Sequence, residues 1–276
     1  MNISFGILTY PGNENEAKKA IKSIENQEIS NYEILIIGGN NHYRNRNLKH
    51  IKFDESIKNG WITKKRNIFF ENAKFDLLVC MHDYLTLDLG WYEGLKKFGD
   101  NFDVLSNKIL KKNGERHYDW NLSRLNRNRF DKYILKTNQK LLPYEISHLS
   151  NYMYISGAFF ILKKNVASKY KFDESLVWRQ AEDVEWSHRV RREYIFKFNP
   201  YSTTLIDSEF KDNYMKNIAS DYLIDSITYF DNSKFQKSTD YLYYTLFQTY
   251  LKLLIKNLFY FFKKLLHKFK KKLKKF

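Results

Sequence analysis

The feature that most constrains this chain is the alternation of short apolar runs with helical patterns along its first third. Ile3 to Tyr10 is an apolar run closed by Pro11-Gly12, and Tyr32 to Ile37 is a second, closed by Gly38-Gly39-Asn40. Runs of this length bounded by Gly, Pro and Asn read as buried strands ended by turns. Between them, Asn13 to Asn26 sets Ala17, Ala20, Ile21 and Ile24 at helical spacing, with Glu14 and Glu16 near the start, where the helix dipole favours acids. The order then repeats. His50 to Phe53 reads as a brief strand, Ile62 to Ala73 as a helix, and Phe75 to Met81 as a strongly apolar strand running into His82-Asp83-Tyr84. Such alternation predicts an α/β chain with a parallel sheet covered by helices.

Ligands of these sheets bind beyond the carboxyl ends of the strands. Thr9, Tyr10, Gly38, Gly39, His82 and Asp83 are therefore expected to converge on one cleft. From Lys108 to Lys140 the chain carries ten Lys or Arg against three acids with weak periodicity, which reads as long loops beside that cleft. Regular structure is expected again at Tyr152 to Leu162, an aromatic strand interrupted by Gly157, then in a helix from Ala181 to Arg192 and a strand from Tyr194 to Phe198. With 276 residues, 43% of them hydrophobic, one core and an appendage are expected, divided as 1–215 and 216–276. One cysteine, Cys80, cannot close an intrachain disulfide, and MNISFGILTY has no secretory pattern, so a reducing cytoplasmic location is expected. No P-loop, GxGxxG, GxSxG, HExxH or paired CxxC occurs, which removes support from several enzyme classes.

Two acidic positions could carry chemistry. Asp83 ends an apolar strand, a poor place for a core carboxylate but a good one for holding a divalent cation that bridges a diphosphate, with His82 beside it. Capping of the strand end by the same two residues is the alternative. Lys64, Lys65, Arg66 and Asn67 precede that strand on a predicted helix, which brings cations toward the edge where phosphate charge would lie, or leaves them as solvated helix charges. The second position is WRQAEDVEWSHR, with Glu182 and Asp183 at a helix start behind Trp178. A carboxylate there is held ionised by the dipole and could deprotonate a sugar hydroxyl; plain capping is the competing account.

These segments, in this order, resemble the bacterial A-type (GT-A) glycosyltransferases related to the large inverting family 2. ISFGILTY resembles the donor-binding start, KKRN the basic-Asn element, and MHDY with LTLDLGWYEGL a variant of the DxD strand end; YISGAFFILKK and WRQAEDVEWSHRV resemble the later glycine strand and acidic helix. Together they cover residues 1 to 205. The resemblance implies the GT-A nucleotide-sugar-binding fold, Rossmann-like and mostly parallel. It implies donor contacts from Thr9, Tyr10, Gly38, Gly39, Lys65, Arg66, Asn67, His82 and Asp83, with Asp83 also the ligand of Mn2+ or Mg2+. Asp183 would be the catalytic base, Glu182 an orienting or acceptor group, and Gly157 and Trp178 acceptor contacts. The implied partners are a nucleotide-sugar donor, a UDP-sugar by family weight, and a glycan or lipid-linked glycan acceptor of bacterial surface polysaccharide such as lipopolysaccharide or capsule. Two positions depart from the pattern: Met81 stands where the first DxD acid would be, and IIGGNN lacks the usual Asp after the second strand.

The net charge of +16 is unevenly spread: residues 241–276 hold ten lysines and no acid. Stepped at about 100° per residue, Leu254, Ile255, Leu258, Phe261, Phe262, Leu265, Phe269, Leu273 and Phe276 form one stripe, with most lysines opposite. This predicts a basic amphipathic helix over 251–276 lying on an anionic membrane surface, on the inner face of the cell membrane, because its lysines interrupt the ~20 apolar residues that a span needs. A helix packed on protein is the alternative. Charge gathered in such a tail, with no nucleic-acid-binding motif, argues against a nucleic-acid partner. A catalytically degenerate accessory subunit of a polysaccharide assembly is the other reading.

Overall fold

A computed structural model describes residues 1–40, 43, 46–123, 139–145, 153–178 and 180–206. The domain division at 215/216 and the amphipathic helix over 251–276 lie outside the described residues.

The described elements are β1 (Asn2–Leu8), α1 (Glu14–Glu25), β2 (Asn31–Ile37), β3 (Leu48–Ile51), α2 (Ile62–Asn72), β4 (Leu77–His82), β5 (Leu85–Leu87), α3 (Trp91–Phe98), β6 (Val104–Lys111), β7 (Asn121–Ser123), β8 (Gln139–Leu141), β9 (Met153–Tyr154), β10 (Phe159–Lys163), α4 (Lys164–Lys169), α5 (Glu182–Val190) and β11 (Phe196–Ile206). Eight strands form one sheet in the order β3-β2-β1-β4-β10-β6-β11-β5. β3, β2, β1 and β4 run parallel, as the alternation predicts. β10 then enters antiparallel to β4 and β6, β11 lies parallel to β6, and β5 closes the edge antiparallel to β11. Two reversed strands make the sheet mixed but mostly parallel. A second small sheet has the order β8-β7-β9.

The core follows from the period of two. In β1, Ile3, Phe5 and Ile7 are fully buried on one face, where Phe5 meets Trp91 at 6.0 Å between ring centroids. Trp91 in turn packs edge-on to Phe159 at 6.2 Å. Aromatic contacts of this kind tie α3 to the middle of the sheet and bury large apolar areas.

Three expectations need correction. The basic stretch read as loops contains β6 at its start and β7 and β8 further on. In β6 the residues Val104 to Asn107 and Ile109 are buried while Lys108, Leu110 and Lys111 are only partly so, and the count of charges hid that buried stretch. The last strand is also longer than Tyr194 to Phe198, because it runs on through a register shift between Asn199 and Thr203 that contains Pro200. A proline without an N–H is tolerated at such an irregularity. α3, α4 and β5 escaped the periodicity reading because each is short.

Candidate active site

Each parallel strand delivers its next residue to the same end of the sheet. The ladder continues past the strands, with Thr9 N donating to Ile37 O at 3.1 Å, Gly38 N to Ile51 O at 3.0 Å and Asp83 N to Leu8 O at 3.2 Å. Because β10 is antiparallel, its first residues lie at that end too: Phe159 pairs with Met81, and His82 N donates to Ala158 O at 3.0 Å. Thr9, Tyr10, Gly38, Gly39, His82, Asp83 and Gly157 are thereby gathered, as expected.

Gly38 adopts φ +90°, and a Cβ there would sit 2.6 Å from Thr9 O and 3.0 Å from Lys65 Nζ. Only glycine fits. The space it leaves is filled by Lys65, which is fully buried, donates to Thr9 O at 2.7 Å, pairs with Glu55 and stands 3.5 Å from the Tyr10 ring centroid. Burial pushes the Lys65 pKa down, opposed by Glu55. Burial, and next Glu55, pushes the Tyr10 hydroxyl up to about 12.

Asp83 is 2% exposed, and its Oδ2 accepts a hydrogen bond from Asn13 Nδ2 at 3.0 Å. Asn13 occupies the N-cap position of α1 but makes no capping hydrogen bond with its side chain, which is spent on Asp83 instead. Burial raises the Asp83 pKa, and the bonds from Thr9 and Asn13 hold it back. His82 is neutral: burial, with Arg66 and Lys65 nearby, pushes its pKa down to about 3.

The second acidic position forms a network around Gly157. Ala181 takes φ +54°, a conformation costing a non-glycine residue roughly 1–3 kcal/mol, and starts α5 so that Glu182 and Asp183 turn inward. Arg66 Nη1 donates to Glu182 Oε1 at 3.1 Å and Nη2 to Gly157 O at 2.9 Å. Gly157 N donates to Asp183 Oδ2 at 2.9 Å, and Val184 N to Asp183 Oδ1 at 2.8 Å. Asp183 keeps partial exposure, whereas Glu182 and Arg66 are 5% and 1% exposed. Burial, and next the adjacent Glu182, raises the Asp183 pKa to about 6, against Arg66 and the two N–H donors.

The basic-Asn element is therefore not a row of solvated cations. Asn67, 2% exposed, is committed within the fold, donating to Phe172 O at 3.0 Å and Glu174 Oε1 at 2.9 Å and accepting from Phe172 N at 2.9 Å, which corrects its expected place among donor contacts. Thr63 Oγ1 donates to Leu176 O at 2.8 Å and Trp61 Nε1 to Glu174 O at 2.8 Å. The segment leading to Trp178 and α5 is thus stitched to α2. Trp178 is 46% exposed, its N donating to Gly60 O at 2.9 Å. Residues missed by the sequence reading include Glu55, in an aperiodic loop, and Asn13, which reads as an ordinary helix cap.

No protein-family model and no curated protein sequence matches the chain. Solved structures do. A crystal structure of GalNAc-T7 with UDP, GalNAc and Mn2+ superposes with a TM-score of 0.56 over 75% of this chain and 44% of that one, at 14% identity. S. aureus TarS 1-349 in complex with UDP-GlcNAc superposes at 0.53, over 86% and 68%, and the same protein with UDP at 0.52, both at 14% identity. The chain has the GT-A fold. It spans less than half of the GalNAc-T7 chain. Met81 is fully buried within β4, and Asp83 is the acid at the end of that strand. Among the described residues no group of three His, Cys, Asp or Glu could hold a metal ion, and no helix is long and apolar enough to cross a membrane.

Proposed function

We propose that this protein is an inverting glycosyltransferase that moves a sugar from a UDP-sugar to a hydroxyl of a glycan or lipid-linked glycan acceptor in bacterial surface polysaccharide assembly. The observation that carries this reading is Asp183, a half-buried residue at the start of α5: with two N–H donors on its carboxylate and a pKa raised to about 6 by burial, it is ionised at neutral pH yet basic enough to take a proton. The GT-A neighbours solved with UDP, UDP-GlcNAc, or UDP, GalNAc and Mn2+ support a UDP-sugar donor.

In this reading Asp83 is the described carboxylate that would hold a divalent cation. Hard cations of this kind use one or two carboxylates and complete their shell with substrate phosphate and water, and Asp83 offers one carboxylate at the strand end. When bound, the cation would neutralise charge on the departing diphosphate. The chain's own residues do the rest. Thr9, Tyr10, Gly38 and Gly39 shape the floor on which the nucleoside rests, Trp178 offers an exposed ring face to the acceptor sugar, and Asp183 receives the proton of the attacking hydroxyl. Residues 251–276 would hold the enzyme on the cytoplasmic membrane surface, where a lipid-linked acceptor resides.

The test is titration of the purified protein with UDP, GDP and CDP, with and without Mn2+, in wild type and Asp83→Ala, followed by transfer assays with UDP-sugars and assignment of the product's anomeric configuration by NMR. Selective UDP binding, strengthened by metal and weakened in the variant, together with an inverted product, is expected. A folded protein that binds no nucleotide would favour the accessory-subunit reading.

A further inference from the structure

We infer that Arg66 is a positioning residue of the transfer site, holding Glu182 and the Gly157 carbonyl so that Asp183, and not Glu182, is left to take the acceptor's proton. This rests on the transferase reading above. Neighbouring residues of a helix point about 100° apart, and Glu182 and Asp183 take different hydrogen-bond partners. Glu182 faces Arg66, with 3.1 Å between Oε1 and Nη1, while Asp183 faces the Gly157 N–H at 2.9 Å.

The fork of Arg66 is what joins the two halves. Its second arm fixes the peptide group on the carboxyl side of Gly157 through the carbonyl at 2.9 Å, and the peptide group on the amino side then presents its N–H to Asp183. The fit is close: a Cβ on Gly157 would stand 2.7 Å from Arg66 Nη2 and 3.1 Å from Asp183 Oδ2. Planar, bidentate reach of this kind belongs to arginine and not to lysine.

With Glu182 5% exposed and its Oε1 paired, Asp183 is the less buried acid of the pair and the one not ion-paired to Arg66. The charged and titratable groups facing it are Glu182 on its own helix, Arg66 from α2 and Tyr154 from β9, whose hydroxyl is pushed up by burial and by the Asp183 charge. In the step itself, the acceptor oxygen bonds to the anomeric carbon, the bond from that carbon to the diphosphate oxygen breaks with its electron pair leaving on the phosphate, and the hydroxyl proton passes to Asp183. Arg66, 1% exposed and bonded on both arms, is spent on this arrangement, which moves it from the donor phosphates to the base.

The experiment compares Arg66→Met, Arg66→Lys and Glu182→Gln by three measurements: kcat, UDP Kd, and the titration midpoint of the Asp183 carboxyl followed by NMR. Arg66→Met is expected to lower kcat at least 10-fold with UDP Kd within about twofold of wild type, and to move the Asp183 midpoint up; Glu182→Gln moves it down. Arg66→Lys, which keeps the charge and loses the fork, also loses rate but keeps UDP binding and a midpoint near wild type. UDP affinity falling in step with kcat, or full activity in the lysine variant, would overturn the inference by making Arg66 a phosphate contact. Midpoints unmoved in both charge-removing variants would overturn it by making the pair mere packing. A wild type that transfers no sugar sinks the transferase reading, and the NMR arm still decides the role of Arg66.

Discussion

Gly157 donates its backbone N–H to Asp183 Oδ2 at 2.9 Å while its own carbonyl is held by Arg66. No side chain can be added between the two: a Cβ would lie 2.7 Å from Arg66 Nη2. Gly157→Ala is therefore expected to displace the guanidinium and the base together. Overpacking of this kind costs roughly 1–3 kcal/mol. Turnover should fall by 10-fold or more with UDP affinity unchanged, as calorimetry beside a steady-state assay would show. An alanine variant with wild-type turnover would mean that the network does not position the base.

Asp183→Asn removes the proposed proton acceptor while keeping the side chain's shape. General bases contribute typically 10²- to 10⁴-fold, so kcat should drop by at least 10² while UDP still binds. In the wild type, kcat/KM should rise with pH through an acid limb near 6, because the carboxylate must be ionised to act and its pKa in the free enzyme is raised to about 6. A limb near 4 would show that Asp183 titrates as an ordinary carboxylate.

The same raised pKa has a consequence for stability. A carboxyl group that holds its proton more tightly in the folded state than in the unfolded one stabilises the fold below its unfolded pKa of 3.8, and this contribution is lost as pH rises through about 6. The stability of wild type relative to Asp183→Asn should thus decline between pH 4 and pH 8, by on the order of 2–3 kcal/mol. Denaturant melts of both proteins at the two pH values measure the difference, and any constant cost of the asparagine cancels. A gap that stays constant would mean that Asp183 is not perturbed.

How much of this was legible in the sequence depends on the period of each element. β1, α1, β2, α2 and β4 stand out because their apolar residues repeat at two or at three to four, and the strand ends then locate Thr9, Gly38 and Asp83 on one side of the sheet. The Glu182–Asp183 pair reads correctly as a helix start. What sequence could not give is the direction of buried polar side chains. Arg66 and Lys65 sit on a polar-looking helix whose charges are in fact buried, 1% and 0% exposed, because their partners Glu182 and Glu55 come from 116 residues downstream and from an aperiodic loop. Asn67 reads as a donor contact for the same reason. β6 was hidden by its lysines, which fall in its second half, after the buried run from Val104 to Asn107.

Gly38→Ala probes the other half of the site. With φ at +90°, a side chain costs roughly 1–3 kcal/mol in backbone strain alone. The added Cβ would also stand 2.6 Å from the Thr9 carbonyl, which is backbone and cannot swing aside. The variant should melt several degrees lower, at about 2–4 °C per kcal/mol for a chain of this size. Its UDP affinity should weaken as well, since Thr9 O and Lys65 move with the clash, whereas Gly157→Ala leaves UDP binding intact. Loss of nucleotide binding in both variants would merge the two halves into one.

In the proposed reading the basic tail attaches the protein to a membrane surface and takes no part in nucleotide binding. Stepped as a helix, the sequence of residues 251–276 would set the apolar residues from Leu254 to Phe276 opposite most of the lysines. A helix of that pattern gains from burying its apolar face at the headgroup level and, at roughly 1 kcal/mol per lysine near an anionic surface, from lipid charge. The full chain should therefore sediment with vesicles containing phosphatidylglycerol, less with neutral phosphatidylcholine vesicles, and less again at high salt, because screening shortens the reach of the charge. Truncation after residue 250 should abolish sedimentation and leave UDP affinity unchanged. Binding to neutral and anionic vesicles alike would assign the attachment to the apolar stripe alone. No binding to either would leave the stripe to pack on protein.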